Sequence, residues 1–423
     1  MSKDLESSED TVVDLTRARA RLRDSQSSQE FVKQLDRIER MLDAGNSLAV
    51  ISELPSLIAS ARNHPEALAQ ARFSLSIAQE MHGQYKECLA AISMYETADA
   101  RPRLSLDLML RLRSQIALAY NYTGEHPKAI AILNAALKEQ PDDTSRPTLS
   151  HGVIYAALAK VYRTINEYPI ARDYSERARE SYRLSGDWRG LAESYFGIAL
   201  ADQHEGRHDS ALANYEQALQ LIGDHQATFL LGKIYANMAG VYRLLKQPLD
   251  GIKYLEKAIG YYERTDHKIL AAKGHNNLGI NLVLVGQWDR AQQSFERSLN
   301  LLTEVDEHES SIPMALDSLG ELHLLRGDLP AARNYLEQAV SMAADRGNKW
   351  YQSQALRTLA RCYIAMAAES EALGAGNRAL AVAERIGDRQ AILESRLLVA
   401  ESNLGIGDTS ACAQLLGALP GVP

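Results

Sequence analysis

Residues 275–302 read HNNLGINLVLVGQWDRAQQSFERSLNLL, and the fold follows from how this stretch divides. Apolar residues recur at three- and four-residue steps on either side of Gly286, the pattern of two amphipathic helices joined by a short break. Gly279 lies seven residues before the break, while Ala291, Phe295 and Ser298 lie five, nine and twelve after it. Small side chains at such places let two helices approach closely, and one large ring fills the space between them.

The same break recurs at Gly45, Gly83, Gly124, Asn166, Gly206, Lys246, Gly286, Gly327, Ala367 and Gly407, spaced 38 to 42 residues apart. Around it the residue types repeat as well. Ala159, Ala199, Ala239 and Gly320 hold the small position before the break, and Ala171, Ala211 and Ala332 the one after it. Leu133, Tyr215, Leu255 and Leu336 stand where Phe295 does. A fixed period of this kind marks a repeat array. Gly or Asn at the break suits a turn residue with positive φ. Lys246 and Ala367 do not, so those two turns are expected to use another geometry. Gly186-Asp187, Gly223-Asp224, Gly347-Asn348 and Gly387-Asp388 place a left-handed cap after a second helix and a capping side chain before the next first helix. Gly376 falls where a bulky residue is usual, which predicts a thin or distorted second helix there. Strand-like alternation is essentially absent, so the fold class read from the sequence is all-α.

The pattern resembles the tetratricopeptide repeat, most closely in Asn277-Leu278-Gly279, Gly286, Trp288, Ala291 and Phe295, and again in Leu319-Gly320, Gly327, Ala332, Leu336 and Ala339. The common unit is about 34 residues. The longer unit here is similar to those of kinesin light chains, the Pins/LGN polarity proteins and many bacterial regulators. The resemblance implies a right-handed superhelical solenoid of roughly ten antiparallel helix pairs over residues 28–419. Residues 1–27 read as a polar, flexible segment and 420–423 as a tail.

Composition narrows the functional classes. Forty-six basic against 54 acidic residues leave a net charge of −8, which gives no general attraction to nucleic acid or an anionic membrane. Arg17, Arg19, Arg21 and Arg23 are interleaved with acidic neighbours and read as a solvated segment. Three cysteines are too few for a disulfide scaffold, and no apolar run or leader suggests a membrane span or export, so a cytoplasmic protein is expected. Arginine outnumbers lysine 33 to 13, which is associated with bacterial, GC-rich genes.

One string matches a catalytic pattern, His204-Glu205-Gly206-Arg207-His208, the H-E-x-x-H of zinc hydrolases. That chemistry needs both imidazoles on one face of a continuous helix. Gly206 is a repeat break, so the string is expected to straddle a turn, and the zinc hydrolase is the remotest of the three readings. Cys88 and Cys412 occupy small packing positions, Cys362 lies mid-helix, and Gly374-Ala375-Gly376 lacks the lysine and the preceding strand of a phosphate loop. No cofactor, no metal and no catalysis are expected.

Surface remains. The resemblance implies that the first helix of each pair lines a concave groove. Counting back from the breaks puts Arg111, Asn121, Lys160, Arg163, Glu193, Phe196, Gln203, Lys233, Asn237 and Arg243 on it, then Lys273, Asn276, Asn277, Asp317, Glu321, Arg357 and Arg361. The partner-binding candidates are Lys160, Arg163, Lys233, Asn237, Arg243, Lys273, Asn276 and Asn277, a basic stretch interrupted by Glu193 alone. Asn237 and Asn277 are similar to two rungs of the asparagine ladder of the Pins/LGN and kinesin-light-chain repeats. The expected partner is a protein or peptide with an acidic segment, one candidate being the chain's own Asp4, Glu6, Glu9 and Asp10. Two functions fit: a non-catalytic interaction scaffold, or the regulatory arm of a larger, bacterial signalling or transcription-regulating protein. An uncapped Leu415–Leu419 face would allow weak homodimerisation.

Overall fold

The computed structural model describes residues 26–96, 104–139, 148–225, 227–265, 267–306 and 309–417, and among them every regular element is helical, with no strand. The arginines of the first 25 residues, the acidic residues 4–10, and Ala418 and Leu419 of the Leu415–Leu419 face lie outside the described residues.

The pairs follow the predicted breaks. They are α1 (Gln26–Asp43) with α2 (Ser47–Ser60), α3 (Pro65–Met81) with α4 (Tyr85–Ile92), and α5 (Leu106–Tyr122) with α6 (His126–Lys138). Next come α7 (Leu149–Thr164) with α8 (Tyr168–Ser185), α9 (Trp188–His204) with α10 (His208–Ile222), and α11 (Thr228–Leu244) with α12 (Pro248–Arg264). The last four pairs are α13 (Lys268–Leu284) with α14 (Trp288–Val305), α15 (Ile312–Arg326) with α16 (Leu329–Asp345), α17 (Lys349–Ala365) with α18 (Glu369–Ile386), and α19 (Arg389–Gly405) with α20 (Thr409–Gly417).

All ten breaks have positive φ. Lys246 (φ 59°) and Ala367 (φ 54°) adopt it like the glycines, which corrects the expectation of a different geometry there. A left-handed L-residue costs roughly 1–2 kcal/mol, and the closing hydrogen bonds of the turn offset it. Ala368 donates to the Tyr363 carbonyl at 2.9 Å, as Gln287 does to Leu282 at 2.9 Å in the glycine turn. The caps after the second helices hold at three of four sites. Asp187, Asn348 and Asp388 accept from the opening amides of α9, α17 and α19, whereas Gly223 has a non-helical ψ of −122° and α11 starts without a side-chain cap.

The close approach read from residues 275–302 is present in α13–α14. A Cβ on Gly279 would stand 2.4 Å from the Phe295 ring, and one on Gly320 would stand 2.5 Å from Leu336 in α15–α16. Gly376 does not distort its helix. α18 runs unbroken over 18 residues, and Val399 fills the space beside that glycine.

The described chain divides into two compact units. Unit 1 comprises residues 1–246 and 260–267, and unit 2 comprises 247–259 and 268–423. Within each unit, successive pairs stack so that first helices pack on first helices: α3 on α5, α5 on α7 and α7 on α9 in unit 1, and α13 on α15, α15 on α17 and α17 on α19 in unit 2. This wall of first helices carries the candidate residues.

Candidate functional site

In unit 1, α7, α9 and α11 bring Lys160, Arg163, Glu193, Phe196 and Lys233 into one electrostatically coupled wall. The Lys160 ammonium lies 3.9 Å from one Glu193 oxygen, and the Arg189 guanidinium 3.8 Å from the other. The Lys233 ammonium sits over Phe196 at 5.0 Å and over Phe229 at 5.5 Å. Burial, then repulsion from Lys160, pushes Lys233 down to about 8, and Glu193 only partly offsets this. Burial works to raise the Glu193 carboxyl, but Lys160, Arg189 and Lys233 together override it and hold the group below its usual value. Arg163 stands among Tyr122, Tyr168 and Tyr215; burial lowers its pKa and the tyrosines counter that. The cations of this wall repel one another across a partly dry surface, and Glu193 only partly balances them.

Other predicted residues take lesser places. The Asn237 amide donates to the Lys233 carbonyl at 2.8 Å within its own helix, and Arg243 is exposed at the end of α11. Arg111 covers the Phe73 ring at 4.6 Å. Asn121 is buried and bonded to Thr164 at 3.0 Å and His126 at 2.9 Å, which makes it part of the packing between pairs rather than a groove contact.

Unit 2 holds the remainder. Lys273 is half-buried and Asn277 exposed. Asn276 is only 3% exposed, so it does not face a partner, which corrects its place among the surface candidates. Asp317 is equally buried and accepts from Gln354 at 2.8 Å. Its carboxyl is pushed up to about 6 by burial, with Glu321 adding and hydrogen bonds from Thr358 and Gln354 opposing. Arg361 pairs with Glu321 at 3.1 Å, and Arg357 with Glu394 at 3.1 Å.

Sequence reasoning missed Asp202, fully buried near the end of α9. It accepts from Arg207 at 2.6 and 2.9 Å, Ser210 at 2.6 Å and Asn214 at 3.2 Å, with Arg172 at ion-pair distance of 3.1 Å. A signal existed: Tyr120, Tyr162, Tyr242 and Tyr363 hold this register elsewhere, and a lone carboxylate among them needs partners. The arrangement is structural, since its acceptors are saturated from within.

The H-E-x-x-H string straddles a turn. His204 ends α9, Gly206 has φ 77°, and His208 opens α10. The His204 ring stacks on Tyr168 at 4.4 Å. Two thiols are the reverse of activated: burial pushes Cys88 up to about 12, and burial also raises Cys362.

Tetratricopeptide repeat models match residues 150–222 and 230–304, and another matches 314–344. The chain is a tetratricopeptide repeat protein. Among curated proteins it is similar to the regulatory protein AfsR of Streptomyces griseus, 22% identical over 321 residues, which are 73% of this chain and 30% of that protein. The chain spans 30%, 8% and 10% of the lengths of the three curated relatives compared. Among solved structures, the apo quorum sensor NprR from B. thuringiensis matches with a TM-score of 0.59 at 14% identity, covering 84% of this chain and 99% of that one. Aspartyl phosphate phosphatase F from Bacillus subtilis matches with a TM-score of 0.52 at 16% identity, covering 92% of each. At these identities the likeness is one of fold. Among the described residues no helix is long and apolar enough to cross a membrane.

Proposed function

We propose that this chain is a non-catalytic, cytoplasmic interaction module that binds an acidic segment of a protein partner along the first-helix wall of unit 1. The observation carrying this reading is the coupled group Lys160, Arg189 and Lys233 around Glu193, in which Lys233 is held near 8 by burial and by the neighbouring cations Lys160 and Arg163. A carboxylate arriving there relieves repulsion already present, so it is favoured beyond the small value of an exposed ion pair. The likeness to AfsR favours placing the module in a regulatory protein, with output residing in another part of that protein.

The test uses hexaglutamate as probe, titrated calorimetrically at low and physiological salt. Wild type should bind and should take up protons at pH 8, as Lys233 regains its charge. Lys160→Glu with Lys233→Gln should abolish binding, and Arg357→Glu in unit 2 should leave it unchanged. Equal binding by wild type and the double variant at both salt concentrations would remove the wall as the partner site.

A further inference from the structure

Repeats of a solenoid ordinarily touch only their neighbours. Unit 1 breaks that rule. Asp43, at the end of α1, forms an ion pair with Arg189 at the start of α9, 146 residues away. Gly45, the turn of the first pair, lies so close to Thr265 that a Cβ there would stand 2.6 Å from its methyl and 2.9 Å from its Cβ, with the Phe229 Cβ at 3.6 Å. The second pair joins at the same place. Ser47 Oγ approaches His82 Nδ1 at 3.5 Å, the His82 ring lies 6.1 Å from that of His267, and His267 lies 4.5 Å from Phe229. Two turns from one end of unit 1 thus meet the starts of α9 and α11 and the residues that follow α12.

We propose that the Asp43–Ser47 turn is a releasable seam that closes unit 1 on itself, with Arg189 shared between the seam and the Lys160–Glu193–Lys233 wall. The seam is polar and thin. Asp43 and Arg189 remain 39% and 42% exposed, so their pair is weak alone, and beside it stand the Thr265 methyl and the His82, His267 and Phe229 rings. A contact of that kind opens at far lower cost than the stacked repeats behind it. Arg189 links seam and wall: one helical turn separates it from Glu193, so its guanidinium reaches a seam carboxylate and a wall carboxylate together. A negative group placed on the wall competes with Asp43 for it, and the seam loosens when the wall is filled. This coupling extends the proposed function without being needed for the seam itself.

The experiment is amide hydrogen exchange on the full chain, comparing Gly45→Ala with Gly124→Ala. Both glycines have positive φ, +83° and +92°, so the backbone strain is shared, but nothing lies within 4 Å of a Cβ at Gly124. Gly45→Ala should speed exchange at least tenfold in residues 228–235 and 262–268, remote in sequence from the substitution. Gly124→Ala should leave both segments at wild-type rates. Adding Thr265→Gly to Gly45→Ala should restore protection by removing the clash. Thr265→Trp, which leaves the turn itself intact, should reciprocally speed exchange in residues 42–50. Wild-type exchange at 228–235 and 262–268 in Gly45→Ala, or at 42–50 in Thr265→Trp, would overturn the seam. Hexaglutamate binding to wild type without faster exchange at 42–50 would overturn the coupling through Arg189 and leave the binding reading standing.

Discussion

In unit 1 three cations of the first-helix wall gather round one carboxylate, Glu193, whereas in unit 2 Arg361, in the register of Lys160, has Glu321 at 3.1 Å, and Arg357 has Glu394 at 3.1 Å. The helices beneath are the same in both units, built on the same close approaches. What differs is whether each cation has its own carboxylate on the neighbouring pair or several cations share one. The repeat frame needs only small and large apolar residues in register, so the outward polar positions are free to diverge. In unit 1 those positions set Lys160, Arg189 and Lys233 around Glu193, and in unit 2 they pair Arg361 with Glu321 and Arg357 with Glu394.

The largest expected effect tests the part the units share. Phe295→Ala in unit 2 and Tyr215→Ala in unit 1 each empty the space between two helices and should cost about 3–5 kcal/mol. Tyr215→Phe should cost only about 1 kcal/mol, the worth of its hydrogen bond to Gln203 at 3.0 Å. Urea unfolding followed by segment-resolved hydrogen exchange checks these values unit by unit. A much smaller loss for Phe295→Ala would mean that the pair does not rest on that ring.

Asp202→Ala comes next, at about 1.5–3 kcal/mol, because a buried charged acceptor is lost while Arg172 and Arg207 can still turn to water. The effect should be confined to unit 1.

The sharpest contrast is in pH. The Asp317 carboxyl titrates near 6 in the folded chain, above its unfolded value of about 3.9, so the folded state holds the proton more tightly between those limits. Stability from this group is present at low pH and lost as pH rises through 6, by about 2–3 kcal/mol in unit 2. Asp317→Asn should flatten that slope. Lys233 titrates near 8, below its unfolded value of about 10.4, so the unfolded state binds more protons in that interval and unit 1 should gain stability as pH rises through it. Lys233→Met should remove the gain. Exchange rates of α11 and α15 measured from pH 4 to 10 would show the two slopes with opposite signs in separate windows. Slopes of the same sign would break the comparison.

The smallest effect belongs to the paired charges of unit 2. Arg361→Ala should change stability by only about 0.2–1 kcal/mol, since the ion pair with Glu321 is half in water. Hexaglutamate binding should not respond to it at all.

Residues 275–302 and their recurrence determined the helix pairs, their breaks and the facing of Gly279 on Phe295, because a period of 38–42 residues leaves a helix pair little choice of partner other than its neighbour. They also placed the basic residues on first helices. The left-handed turns at Lys246 and Ala367 escaped, since local preference there yields to the geometry that the pair imposes from both sides. Asn276 and Asn121 escaped for a related reason: one residue of helical rotation moves a side chain from the open wall to the interior, and spacing alone does not fix that angle. Only the tertiary structure decided that Lys160, Arg189 and Lys233 share one Glu193, that Asp202 collects its partners, and that Asp43 reaches Arg189. The Glu193 group, the Arg172 arm of Asp202 and the Asp43–Arg189 pair join residues by the stacking of whole pairs, and that stacking is written in packing rather than in any one repeat.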